Sequence, residues 1–138
     1  MRKISICLVT LMLILGIPIL SYASDISIQS QLMSYDYSGC ITKIYCNSTF
    51  STNGSTIGLN YRQWSSYGYP FTMKYTVCKK GILSDTNYCS KTTSVSNENG
   101  PSAYLVLGTA PTGTNRYLKI ENVYQDCYVS GYGELYQN

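Results

Sequence analysis

The segment Phe71-Thr72-Met73-Lys74-Tyr75-Thr76-Val77-Cys78 alternates apolar and polar side chains without a break. Phe71, Met73, Tyr75 and Val77 fall on one face and Thr72, Lys74, Thr76 and Cys78 on the other. That is the pattern of a strand with one face on a core and one in water. Ile26-Ser27-Ile28, Ile41 to Cys46, Ile57 to Tyr61, Tyr104 to Leu107 and Tyr117 to Val123 read as further strands. Tyr104-Leu105-Val106-Leu107 is apolar on both faces and predicts a central strand covered on both sides. Turn signals separate these runs: Asn53-Gly54, Tyr67-Gly68-Tyr69-Pro70, Asn97 to Pro101, and Pro111 to Asn115. Short strands with regular glycine-bearing breaks predict an all-β fold, a small disulfide-containing antiparallel β-sandwich or barrel of about seven or eight strands.

No window of about a dozen residues carries an apolar stripe at the helical period. The nearest rival is the tail, where Tyr124, Tyr128, Tyr132 and Tyr136 recur every fourth residue. On a helix Gly131 and Gly133 would each cost about 1 kcal/mol, and Val and Tyr favour strands. A spacing of four also keeps all four rings on one face of a strand. The tail is therefore read as a long or bulged final strand. Its tyrosine row faces outward, and Val123, Cys127, Val129 and Leu135 face inward.

The chain begins with Met1-Arg2-Lys3, an apolar run from Ile4 to Leu20, and Ser21-Tyr22-Ala23. This is the layout of a secretory signal peptide cleaved after Ala23. The expectation is a single β domain over 24–138, secreted or periplasmic, with no later membrane insertion. Arg2 and Lys3 account for two of the ten basic side chains, so eight face seven acidic ones beyond the leader. Such a balance argues against nucleic acid or an anionic membrane as a partner.

Export makes disulfides the default for Cys40, Cys46, Cys78, Cys89 and Cys127. Cys78 and Cys89 flank a turn-rich connection and are expected to pair. Cys40 and Cys46, if extended, would lie about 20 Å apart, beyond the roughly 4.4–6.8 Å between bridged Cα atoms. One of them is expected to pair with Cys127. Cys46 is chosen, which leaves Cys40 buried or bridged to another chain.

The 138 residues include fifteen tyrosines and no histidine. Histidine-dependent triads and mixed Cys/His zinc sites are thereby excluded. No phosphate-cradling loop or dinucleotide fingerprint is present, and no cofactor is expected. Carboxylates remain as catalytic groups, with Asp36, Asp126 and Glu134 among aromatics, but no spacing in the sequence sets two of them as a glycosidase pair. The expectation is a protein that binds without catalysing.

The sharpest candidate site is Tyr61, Arg62, Trp64, Tyr67 and Tyr69, which combines the only tryptophan with arginine and three tyrosines amid serine and glycine. Rigid aromatic anchors between small adaptable residues are typical of recognition loops. A glycan or another cell-surface ligand is the expected partner. The alternative is an envelope or surface assembly subunit, or an inhibitor of a secreted enzyme, with Tyr124, Tyr128, Tyr132 and Tyr136 as the interface and a homo-oligomer as one outcome. Asn47-Ser48-Thr49 and Asn53-Gly54-Ser55 match the glycosylation acceptor pattern and mark an exposed loop.

Overall fold

The computed structural model describes residues 29–138, so the leader and the strand expected at Ile26-Ser27-Ile28 lie outside the described residues. Nine strands follow: β1 Ser30–Cys40, β2 Lys43–Tyr45, β3 Phe50–Thr52, β4 Thr56–Ser65, β5 Met73–Lys79, β6 Thr86–Thr93, β7 Ala103–Thr109, β8 Gly113–Asn122 and β9 Val129–Gln137. They form two antiparallel sheets, a front sheet in the order β1-β9-β4-β7 and a back sheet in the order β2-β8-β5-β6, with β3 also on β8. Neither sheet closes on itself, which makes the fold a sandwich and not a barrel.

Alternation along each strand builds the core. Ile57 and Leu59 of β4 and Val129 and Leu135 of β9 meet Met73, Tyr75 and Val77 of β5 and Leu118 and Ile120 of β8, all fully buried. Tyrosines complete it. Tyr35 and Tyr37 of β1 stand opposite Gly133 and Gly131 of β9, and the rings lie across those glycines. A Cβ on Gly133 would come within 2.0 Å of the Asn60 carbonyl oxygen and 2.7 Å of the Tyr35 hydroxyl. The two glycines that argue against a helix are therefore the floor on which two core rings rest.

The buried tyrosine hydroxyls of the core are partnered, whereas the Thr76 hydroxyl is buried without a partner. Tyr37 donates to the Tyr75 hydroxyl (2.9 Å) and Tyr75 to Gln63 Oε1 (2.7 Å). Gln63 Nε2 donates to the Val95 carbonyl at 2.9 Å. Tyr61 shares a 2.7 Å bond with Thr93 Oγ1. Burial pushes the Tyr35, Tyr37 and Tyr75 hydroxyls well above the usual tyrosine range, so these rings stay neutral.

Several expectations are corrected. β7 is an edge strand of the front sheet, with Tyr104 and Val106 exposed; its outer apolar side chains shield a neighbour, Tyr104 lying over Gly58. The outer face of β5 is only partly in water: Lys74, and Thr72 just before the strand, are half-buried, while Thr76 and Cys78 are buried, because β5 is central. The Asn47–Thr56 loop contains β3, whose Phe50 and Thr52 point inward. Val123 is exposed in the loop before β9, outside the strand that buries Val129 and Leu135.

The expected bridges do not form: among the described residues all five cysteines are free thiols. Cys89 pairs with the core-facing Val77, whereas Cys78 lies opposite the outward Tyr117 and donates to Asn87 Oδ1 at 3.1 Å. Side chains leaving opposite faces of a sheet cannot join. The Cys46 amide bonds the Leu118 carbonyl, while the Cys127 carbonyl accepts from Asn122. Those anchors are four residues apart on β8, about 13 Å at ~3.3 Å per residue, too far for a bridge. Cys40, left over in that scheme, is buried.

Candidate functional site

β4 and β9 run side by side in the middle of the front sheet, and their alternation sends one set of side chains to the core and the other outward. Tyr61 belongs to the core set with Leu59 and Gln63, and so leaves the contact surface expected for it. Arg62 and Trp64 belong to the outer set. Arg62 stands directly opposite Tyr132 and Trp64 opposite Ser130. The Trp64 indole meets the Tyr132 ring edge-on, with centroids 6.2 Å apart.

Beyond Trp64 the β4–β9 ladder continues by one bond, from the Ser66 amide to the Tyr128 carbonyl (2.9 Å). Tyr128 is exposed, and its ring lies 3.6 Å from where a Cβ on Gly39 would sit. The chain then makes a single 3₁₀ turn, Ser66–Gly68, in which Tyr67 adopts a left-handed backbone (φ 61°) and is 95% exposed. Tyr69 is exposed beside it, edge-on to Tyr67 at 6.4 Å. Ser65 Oγ donates to the Tyr69 carbonyl at 2.5 Å and ties the turn to the end of β4. Tyr124 is exposed in the loop before β9, and Tyr136 is half-buried on the outer face. The aromatic loop and the tyrosine row, separate in the sequence, thus share one surface running from Tyr67 and Tyr69 past Tyr128 and Trp64 to Tyr132.

Next to Tyr132 is a groove of about 500 Å³ whose polar lining is Ser34, Asp36, Asn60, Ser102 and Glu134. Its volume falls within the roughly 300–1,000 Å³ of small-ligand sites. Asp36 pairs with Tyr132 and Ser34 with Glu134, so the two carboxylates are diagonal neighbours on adjacent strands. Glu134 accepts from the Tyr136 hydroxyl and, at 3.4 Å, from Gln31 Nε2. That bond holds the Tyr136 hydroxyl above its ordinary range. Asp36 is exposed, and neither it nor Arg62 forms a salt bridge among the described residues. Asp126, the third acid noted in the sequence, is exposed in the loop before β9 and does not line the groove. Asn60, Asp36 and Glu134 join the site only through the β1–β9–β4 pairing, which brings both ends of the described chain beside its middle.

Comparison with protein-family models, with curated proteins and with solved structures gives no match for this chain.

Proposed function

We propose that this is a secreted or periplasmic binding protein that recognises a glycan across the outer face of its front sheet, without catalysing a reaction. Trp64 and Tyr132 supply the apolar platform against which the C–H face of a sugar stacks. Arg62, Asn60, Asp36 and Glu134 supply donors and acceptors for its hydroxyls. The observation that carries this reading is the Trp64–Tyr132 pair beside a polar groove on one rigid sheet face. Sites on strands hold their geometry better than sites on loops. Tyr67 and Tyr69 extend the surface at the end of the sandwich.

A glycan array probed with the wild type, with Trp64→Ala and with Tyr132→Ala tests the reading. The expected result is a selective signal that each substitution weakens and the two together abolish. A strong signal that survives the double substitution eliminates this face.

The exposed rings of Tyr67, Tyr124 and Tyr128 favour one second reading, contact with a protein in a surface assembly or on a secreted enzyme. Aromatic rings around a small exposed end suit such an interface. Light scattering separates the two: a strict monomer that binds glycans supports the first, and a stable oligomer built through these rings supports the second.

A further inference from the structure

At the far end of β5 from the Tyr67 turn, the chain reverses through Lys80-Gly81-Ile82-Leu83-Ser84-Asp85 into β6. Ile82 and Leu83 at its apex are the most exposed aliphatic side chains described, Leu83 at 99%. The loop that carries them is fixed. A Cβ on Gly81 would come within 2.0 Å of the Ser84 carbonyl oxygen, so the loop folds back on itself and admits only glycine there. The Gly81 amide donates to Asp85 Oδ1 at 3.3 Å, and the buried Tyr117 hydroxyl on β8 donates to Asp85 Oδ2. These contacts brace a conformation in which two adjacent aliphatic side chains touch nothing.

The charges around the apex are mainly positive. Lys79 and Lys80 are exposed and form no salt bridge among the described residues; the single acid of the loop, Asp85, keeps its negative charge just before β6, where Tyr117 and Gly81 donate to it. Behind them Arg116 is 4% exposed, stacked 4.2 Å over the Tyr88 ring. Its guanidinium donates only to neutral acceptors, the Tyr88 hydroxyl (2.8 Å), the Pro111 carbonyl (3.3 Å) and Thr52 Oγ1 (3.5 Å). A depression lined by Lys79, Lys80, Thr86, Tyr88 and Asn115 opens beside Ile82. The near balance of basic and acidic side chains beyond the leader hides this local excess.

We propose that the β5–β6 hairpin docks the protein on an anionic lipid surface, with Ile82 and Leu83 entering the acyl boundary and Lys79 and Lys80 against the lipid phosphates. The order along the loop matches the order of depth in a monolayer, apolar at the tip and cationic one step back. That order and the excess of lysine over acid at the loop select an anionic bilayer over an apolar cleft on a protein. The glycan face lies on the other sheet and stays free.

The test is co-sedimentation of the purified protein with phosphatidylcholine vesicles, with and without phosphatidylglycerol. The expected result is partition onto the mixed vesicles, weakened by salt. Ile82→Ser with Leu83→Ser is expected to reduce partition at least about tenfold, and Lys79→Gln with Lys80→Gln roughly thirtyfold, from ~1 kcal/mol per surface lysine. These exposed positions leave the melting temperature nearly unchanged, and Trp64→Ala partitions like the wild type. Equal partition onto both vesicle types, absence of partition, or unaltered binding by the Ile82→Ser, Leu83→Ser double variant overturns the proposal.

Discussion

The Trp64 indole stands edge-on to Tyr132 across the β4–β9 ladder, its plane at 74° to the tyrosine ring, with Arg62 directly opposite that tyrosine. Such an edge contact contributes about 0.5–1.5 kcal/mol beyond area burial. On a half-exposed sheet face it also holds Tyr132 upright beside the groove. Trp64→Ala should weaken glycan binding about tenfold, the equivalent of ~1.4 kcal/mol. Trp64→Phe should retain most of the affinity, because an edge partner remains. Calorimetric titration with the best array ligand measures both, and equal affinities for the three proteins would refute the buttressing role.

How far the sequence reaches is clearest along β4. Ile57, Leu59 and Tyr61 alternate inward, but Gln63 breaks the apolar series. Its burial is made tolerable by Tyr75, Val95 and Asn97, partners that only the fold brings near. Without them the inward run reads as ending at a loop, which puts Tyr61 at the surface. β5 was legible because its polar and apolar positions alternate cleanly. β6 was not, because an edge strand carrying Asn87, Ser90, Lys91 and Thr92 has little to alternate. In β1, Met33, Tyr35 and Tyr37 alternate with Ser34, Asp36 and Ser38, but a tyrosine counts as core only once its hydroxyl has a partner. The outward Tyr132 follows from the spacing of the tail, whereas Arg62 and Trp64, read from residue type as part of a loop, lie on the outer face of β4. Their company with Asp36 and Glu134 depends on the pairing of β1 with β9, which no local pattern encodes.

Gly133 sets a steric limit on the core. Gly133→Ala drives a methyl group against the Asn60 carbonyl and the Tyr35 hydroxyl, in a sheet where neither strand can yield alone. The expected cost is ~2–3 kcal/mol or more, of the order seen for overpacking, and a melting temperature lower by roughly 4 °C per kcal/mol. Gly100→Ala is the control. Its added methyl has no neighbour nearer than 3.9 Å, and the melting temperature should barely move. Thermal denaturation followed by circular dichroism distinguishes the pair.

Stability should fall in alkali. Desolvation raises the Cys46 and Cys89 thiols from 9.0 to about 11 and lifts the Tyr35, Tyr37 and Tyr75 hydroxyls further. The unfolded chain loses these protons first, so it binds fewer than the native state and stability declines as pH rises. The contribution is fully present below about pH 9 and is lost from there upward, through pH 11 for the thiols. Urea midpoints measured across this range should drop steadily, and tyrosinate absorbance of the buried rings should appear only with unfolding. A flat midpoint from pH 9 to 11 would contradict the assigned burial.

Asn122 controls the loop that presents Tyr124 and Tyr128. It is 1% exposed, and its Nδ2 donates to the Cys127 carbonyl at 2.7 Å and the Cys40 carbonyl at 3.3 Å. Its Oδ1 accepts from the Gln125 amide at 3.3 Å, where the chain turns through a left-handed residue. Asn122→Ala removes both donors from buried carbonyls, at an expected ~1–3 kcal/mol. Asn122→Asp should be worse, because a carboxylate sets acceptors against those carbonyls and supplies no donor in return. Both variants free residues 123–127, so the buried thiols of Cys40 and Cys127 should react faster with a thiol reagent than in the wild type, most of all in Asn122→Asp. Unchanged thiol reactivity would mean that the loop is held by something other than this side chain.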